Sequence, residues 1–195
     1  MAFDLIVIGT SLGGLRALET IVDGLPDDFQ VPLAIVQHRA TNAGVLLRQL
    51  LQRRTRLRVV EPDDKDEIQP GRVYLAPPDY HLLVEPGSFA LSTEGRVNHA
   101  RPAIDVLFET ASDAYGSRVL GVLLTGANED GARGAARIKR RGGTLLVQDP
   151  ADAECGVMPA SALKLTQPDR VLALCEIAPA LVQLCSAERN DNDAV

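Results

Sequence analysis

Short aliphatic and β-branched runs alternate along this chain with longer stretches in which apolar residues recur every three or four positions. That pattern belongs to βαβ units built on a largely parallel sheet. Leu5–Ile8 is a continuous apolar run that predicts the first strand, Gly9–Gly14 a glycine-rich turn, and Leu15–Val22 a helix stopped by Gly24 and Pro26. Leu33–Gln37 predicts a second strand, Val45–Arg54 an amphipathic helix, and Leu57–Val60 a third strand before the charged turn Glu61–Glu67. Between Gly71 and Thr93 the texture changes. Arg72–Ala76, Tyr80–Glu85 and Phe89–Ser92 are strand-like and divided by Pro-Pro-Asp and Pro-Gly turns, which predicts an antiparallel hairpin region. Helical spacing returns over Ile104–Tyr115, followed by an apolar strand at Val119–Leu124, a small-residue helix at Asp130–Arg140 and a strand at Thr144–Gln148. Helices over Ala160–Lys164 and Ile177–Cys185 close the chain. The expected fold is α/β: a three-layer, doubly wound, mostly parallel sheet with an antiparallel hairpin region. One domain is expected over 1–186, followed by a polar, disordered tail at 187–195.

Composition narrows the setting. With 195 residues, 46% of them apolar, the chain can bury a substantial core, and no run approaches the roughly 20 apolar residues needed to cross a bilayer. Leu5–Ile8 is too short and lacks the basic flank of a signal peptide, so the mature chain is expected to begin near Met1. Cys155, Cys175 and Cys185 are odd in number and show no C-x-x-C spacing, which favours reduced thiols, a cytoplasmic location and no metal. A net charge of −6 argues against a general nucleic-acid binder. The basic clusters Arg53, Arg54, Arg56, Arg58 and Arg137, Lys139, Arg140, Arg141 read as solvated helix ends. A monomer is expected.

The chemistry starts at Gly9-Thr10-Ser11-Leu12-Gly13, a G-x-S-x-G pattern at a strand-to-helix junction. Such a turn projects a serine hydroxyl above the strand ends, and the unpaired N–H groups of the following helix, Leu12 N–H first, can stabilise an oxyanion. The plainer possibility is that Ser11 only caps the helix. His38 follows the second strand on the same edge of the sheet, where an imidazole can take the serine proton near neutrality. His81 and His99 do not follow a buried strand at that edge and read as structural or exposed. Asp130 lies in the turn that leaves Val122–Leu124 and could orient the imidazole. It could equally cap the helix that follows, and Glu129 is a competing acid. Three strand-end loops therefore carry Ser, His and Asp on the edge where open α/β sheets hold their ligands.

Those residues, together with several further segments, resemble the catalytic domain of the chemotaxis protein-glutamate methylesterases, the CheB family. The segments are Ile8–Gly14, Ile35–His38, Val73–Pro77 with Tyr80-His81, Arg101-Pro102 with Ile104–Phe108, Leu124–Gly126 with Asp130-Gly131, Gly142-Gly143 with Gln148–Pro150, and Met158–Ala160. The resemblance implies hydrolysis of γ-glutamyl methyl esters on chemoreceptor signalling helices, with Ser11, His38 and Asp130 as the triad. It also implies deamidation of receptor glutamines by the same acyl-serine route, without metal or organic cofactor. Two positions depart from the family pattern: Ala127 stands where a methionine is common, and Leu12 where small or hydroxylated residues are frequent. Many members also carry an amino-terminal receiver domain, whereas Met1 here precedes the first strand by a few residues; a whole gene product of this length would have no phosphorylation control in cis, and an excised catalytic fragment would read the same.

The rival readings are a nucleotide-binding module, a regulatory domain without catalysis, and a hydrolase of another modified protein. The first fits poorly, because Gly9, Gly13 and Gly14 do not form G-x-G-x-x-G and no Walker lysine is present.

Overall fold

The computed structural model describes residues 3–38 and 44–186; the tail at 187–195 lies outside them. A seven-stranded sheet forms the centre of the molecule. Its strands are β1 (Leu5–Thr10), β2 (Leu33–Gln37), β3 (Arg58–Val60), β4 (Arg72–Leu75), β7 (Val119–Leu123), β8 (Thr144–Gln148) and β9 (Arg170–Leu172). They run in the order β3-β4-β2-β1-β7-β8-β9, and every pairing is parallel.

Parallel sheets need cover on both faces, and this one has it. Ile6 and Ile8 of β1 enter one apolar cluster with Leu18 and Ile21 of α1 (Gly14–Asp23), Leu51 of α2 (Gly44–Gln52) and Leu181 of α6 (Leu174–Ser186). Leu5 and Val7 point the other way. They join Leu107 and Phe108 of α3 (Ile104–Tyr115), Ala135 and Ile138 of α4 (Ala132–Arg140) and Met158 of α5 (Val157–Leu165). Two-residue alternation along β1 thus feeds both cores, and each fully buried aliphatic or aromatic side chain contributes about 1.5–3 kcal/mol.

The expected antiparallel hairpin is present but smaller than the sequence suggests. β5 (His81–Glu85) and β6 (Ser88–Ser92) pair antiparallel, whereas β4 leaves this region and joins the main sheet between β3 and β2. Burial explains the difference: Val73, Tyr74 and Leu75 are all buried, so the segment behaves as an interior parallel strand. The hairpin packs on α3, where Val84 N–H donates to Thr110 Oγ1 at 3.1 Å. β9 escapes the sequence reading because it is a three-residue, largely exposed edge strand with no apolar period.

Helices α3 and α4 approach closely through Gly134. A Cβ built there would lie 2.5 Å from Phe108 Cβ and 3.2 Å from the Asp105 backbone. Gly134→Ala is expected to destabilise the protein by about 1–3 kcal/mol through overpacking, read as a lower denaturation midpoint at unchanged m-value.

Arg137, Lys139, Arg140 and Arg141 end α4 as expected of a solvated helix end, whereas in the other cluster Arg58 opens β3. Arg137 and Arg141 pair with Asp113, Lys139 with Asp169, Arg54 with Glu19 and Arg56 with Asp27. Exposed pairs of this kind are worth about 0–1 kcal/mol each.

Candidate active site

Strand order reverses at β1, whose neighbours β2 and β7 lead away on opposite sides, and the loops leaving these three strands meet above their carboxyl ends. Backbone bonds lock the loops together before any side chain acts. Ser11 N–H donates to Thr125 O, His38 N–H to Thr10 O and Leu124 N–H to Gly9 O, each at 3.0 Å. Thr10 Oγ1 adds a bond to Thr125 O at 2.9 Å, and Thr125 Oγ1 one to Leu12 O at 2.8 Å. Gln37 Nε2 reaches both Ser11 O at 2.8 Å and His38 O at 2.9 Å, tying the serine loop to the histidine.

Ser11 is not the cap of α1. That position belongs to Gly13, at φ 79, and no side chain caps this helix end. Gly14 starts the helix against β2, where a Cβ would meet Gln37 and lie 2.6 Å from Thr10 Oγ1. Among the described residues the Ser11 hydroxyl makes no hydrogen bond. Leu12 N–H likewise has no described acceptor, and the Leu12 side chain is 55% exposed.

His38 and Asp130, far apart in sequence, are joined through Nε2 and Oδ2 at 2.8 Å. Asp130 is fully buried, and three further donors converge on it. Ile104 N–H reaches Oδ2 at 2.7 Å; Asp105 N–H and Asn98 Nδ2 reach Oδ1 at 3.1 and 3.0 Å. Ile104 and Asp105 open α3, so the positive end of that helix faces the carboxylate. Burial pushes the Asp130 carboxyl up, but the bonds from His38, Asn98 and Ile104 N–H outweigh it and hold the group below the usual carboxylate range. An ionised carboxylate only accepts, so Nε2 carries a proton, and in the neutral imidazole the lone pair then falls to Nδ1.

The capping alternative for Asp130 resolves in an unexpected way. The cap of α4 is Gly131, at φ 93, with no side-chain bond, and the Asp130 carboxylate serves α3 instead. Glu129 lines a separate cavity with Arg133 and Lys164.

Ser11 and His38 line one cavity of about 490 Å³, which Asp79, Arg96, His99 and Arg101 also border. His99 is exposed, in line with the sequence reading, and borders this cavity. His81 is the structural histidine that reading expects: it is buried, its Nδ1 accepts from Ala103 N–H at 3.2 Å, and its Nε2 donates to Gly95 O at 3.0 Å. Among the described residues no cluster of His, Cys, Asp and Glu could hold a metal ion, and Cys155 and Cys175 form no disulfide. No described helix is long and apolar enough to cross a membrane.

The profile of the CheB methylesterase family matches residues 6–181. The chain belongs to the CheB methylesterase family. A Leptospira interrogans relative, provisionally named a protein-glutamate methylesterase/protein-glutamine glutaminase, is 46% identical over 94% of this chain and 96% of its own length. A protein-glutamate methylesterase/protein-glutamine glutaminase of Anaeromyxobacter dehalogenans is 42% identical over 93% of the chain, which spans 53% of that relative. The crystal structure of the Thermotoga maritima CheB methylesterase catalytic domain superposes with a TM-score of 0.89 at 34% identity, covering 94% of this chain and 100% of that one. The parallel sheet and hairpin are therefore a CheB-type scaffold.

Sequence reasoning missed Gln37 as a tie between loops, and Asn98 as a partner of Asp130. A glutamine at a strand end and an asparagine in a turn are both common. Neither carries a local mark of the contact it makes across the fold.

Proposed function

We propose that this chain hydrolyses γ-glutamyl methyl esters on the signalling helices of methyl-accepting chemotaxis receptors, and deamidates receptor glutamines by the same route. In this reading residues 1–186 form the catalytic unit with 187–195 as a tail, and the protein works as a cytoplasmic monomer. One observation carries the proposal: in a CheB-family chain, the His38–Asp130 bond reaches the edge of a cavity that Ser11 also lines.

His38 Nδ1 takes the Ser11 proton as Oγ attacks the γ-carbonyl carbon, giving a tetrahedral oxyanion that Leu12 N–H can meet at the start of α1. Asp130 holds the Nε2 tautomer and offsets the imidazolium charge. Collapse of the intermediate breaks the bond to the methoxy oxygen, which takes the proton from His38 and leaves as methanol. A glutamine would lose ammonia at this step. Water, deprotonated by the same imidazole, then attacks the acyl-serine carbon; the ester bond to Oγ breaks, Oγ regains its proton, and free glutamate results.

The test has two parts. Wild-type protein is expected to release methanol from carboxyl-methylated receptor cytoplasmic fragments, and a fluorophosphonate is expected to label Ser11 alone, with labelling strongly slowed in His38→Gln. Adduct on another residue, or no methanol above the buffer control, overturns the proposal.

A further inference from the structure

We infer that Asn98 is a positioning residue of the hydrolytic site, holding the Asp130 carboxylate in the orientation that serves His38; this rests on the Ser11, His38, Asp130 reading above. Val97 and Ala100 exchange backbone bonds at 3.1 and 2.9 Å, closing a two-residue turn whose central residues, Asn98 and His99, have φ 49 and 64. Positive φ at both positions follows the type I′ pattern, in which asparagine and glycine are favoured. Turn chemistry alone would therefore justify an asparagine here.

It does not account for where the amide goes. Asn98 Nδ2 donates to Asp130 Oδ1 at 3.0 Å and to Asp105 Oδ2 at 2.9 Å, so both amide hydrogens are spent, one on each of two buried carboxylates. Like charges placed this near one another in a low-dielectric interior repel, and a donor shared between them relieves part of that cost. Asp105 is anchored in turn by Gly134 N–H at 2.8 Å and by the exposed Arg133 Nε at 3.2 Å. A continuous hydrogen-bonded chain thus runs from Arg133 through Asp105, Asn98 and Asp130 to His38.

The arrangement divides the work on Asp130. Backbone N–H groups of α3 hold one lobe of each oxygen. Asn98 fixes Oδ1 from the cavity side, since it also lines the Ser11–His38 cavity and screens the carboxylate from water. Oδ2 is left aimed at the imidazole. Asn98 acts through Asp130 and need not touch the reacting ester.

Asn98→Gly is the clean test, because glycine preserves the turn and removes only the amide. Asn98→Asp, similar in size and also tolerant of positive φ, replaces the donor by a third carboxylate. Methanol release from carboxyl-methylated receptor fragments is measured for wild type, both variants and Ser11→Ala, alongside thermal melts and the low-field proton resonance of His38 Nε2–H. The expected result is a kcat lower by roughly 10- to 100-fold in Asn98→Gly, the effect of losing a hydrogen bond to a charged group, with KM little changed. Asn98→Asp should fall further, and the Nε2–H resonance should shift or broaden in both while each variant still melts cooperatively.

Wild-type kcat in Asn98→Gly, or an unshifted resonance, overturns the inference. A rise in KM at unchanged kcat would make Asn98 a substrate contact and overturn it too. If Ser11→Ala retains full turnover, the triad reading itself has failed; if Ser11→Ala is inactive while Asn98→Gly is not impaired, only the positioning role has failed.

Discussion

Replacing Ser11 by alanine is expected to lower methanol release by a factor of about 1,000 or more, as removal of a nucleophile from a triad does, while leaving the fold intact. The two halves of this expectation have separate grounds. The loop is held by backbone groups: Ser11 N–H on Thr125 O, and Ser11 O accepting from Gly14 N–H and Gln37 Nε2. Alanine keeps all three. The hydroxyl supports no hydrogen bond among the described residues and caps no helix, so its loss should leave thermal stability within the few tenths of a kcal/mol typical of neutral changes. What disappears is the hydroxyl of this loop that borders the cavity, since the neighbouring Thr10 Oγ1 is buried and donates to Thr125 O. Paired measurement of turnover and melting temperature checks the prediction, and turnover retained at the wild-type level would move the nucleophile elsewhere.

Asp130→Asn should be costly on both counts. An aspartate accepts on both oxygens, and here Oδ2 faces His38 and Ile104 N–H while Oδ1 faces Asn98 and Asp105 N–H. An asparagine brings one oxygen and one NH₂, so either rotamer sets a donor against two donors. Unpaired buried groups of this kind cost about 1–3 kcal/mol, and loss of the carboxylate that orients the base costs about 10⁴ in kcat in comparable triads. The pH dependence has a definite sign. Because the Asp130 carboxyl is held below the usual carboxylate range, its contribution to stability is complete above that range and is lost as the pH falls below it, through the lowered value of the folded state. Urea titrations at a series of pH values should therefore show the gap between wild type and Asp130→Asn narrowing toward acid. A gap that widened on acidification would contradict the ionised, multiply bonded state of this group.

How legible the site was from the chain differs from residue to residue. Ser11 announced itself through glycines within two positions of it, and the structure bears out the tight turn they imply, with Gly13 at positive φ. His38 and Asp130 could be placed at strand ends because β2 and β7 are continuous apolar runs with clear limits. The same logic misassigned Arg72–Ala76 to the hairpin, since a short strand-like segment beside proline turns reads alike in either setting. It also misdirected the capping role of Asp130, because a cap is sought in the helix that follows in sequence, whereas the helix in need was α3, which precedes Asp130 in the chain.

The chain by itself determined the α/β class, most of the strands and helices, the turn that carries Ser11 and the strand-end positions of His38 and Asp130. These follow from periodicity, glycine and proline, whose effects reach only a few residues. Only the tertiary structure decided that β4 lies inside the parallel sheet, that the positive end of α3 meets Asp130, and that Asn98 and Gln37 join the network. The partner of a buried polar group is set by strand order and helix packing. Those depend on how two hydrophobic faces are covered across the whole domain, and no local window of sequence contains that information.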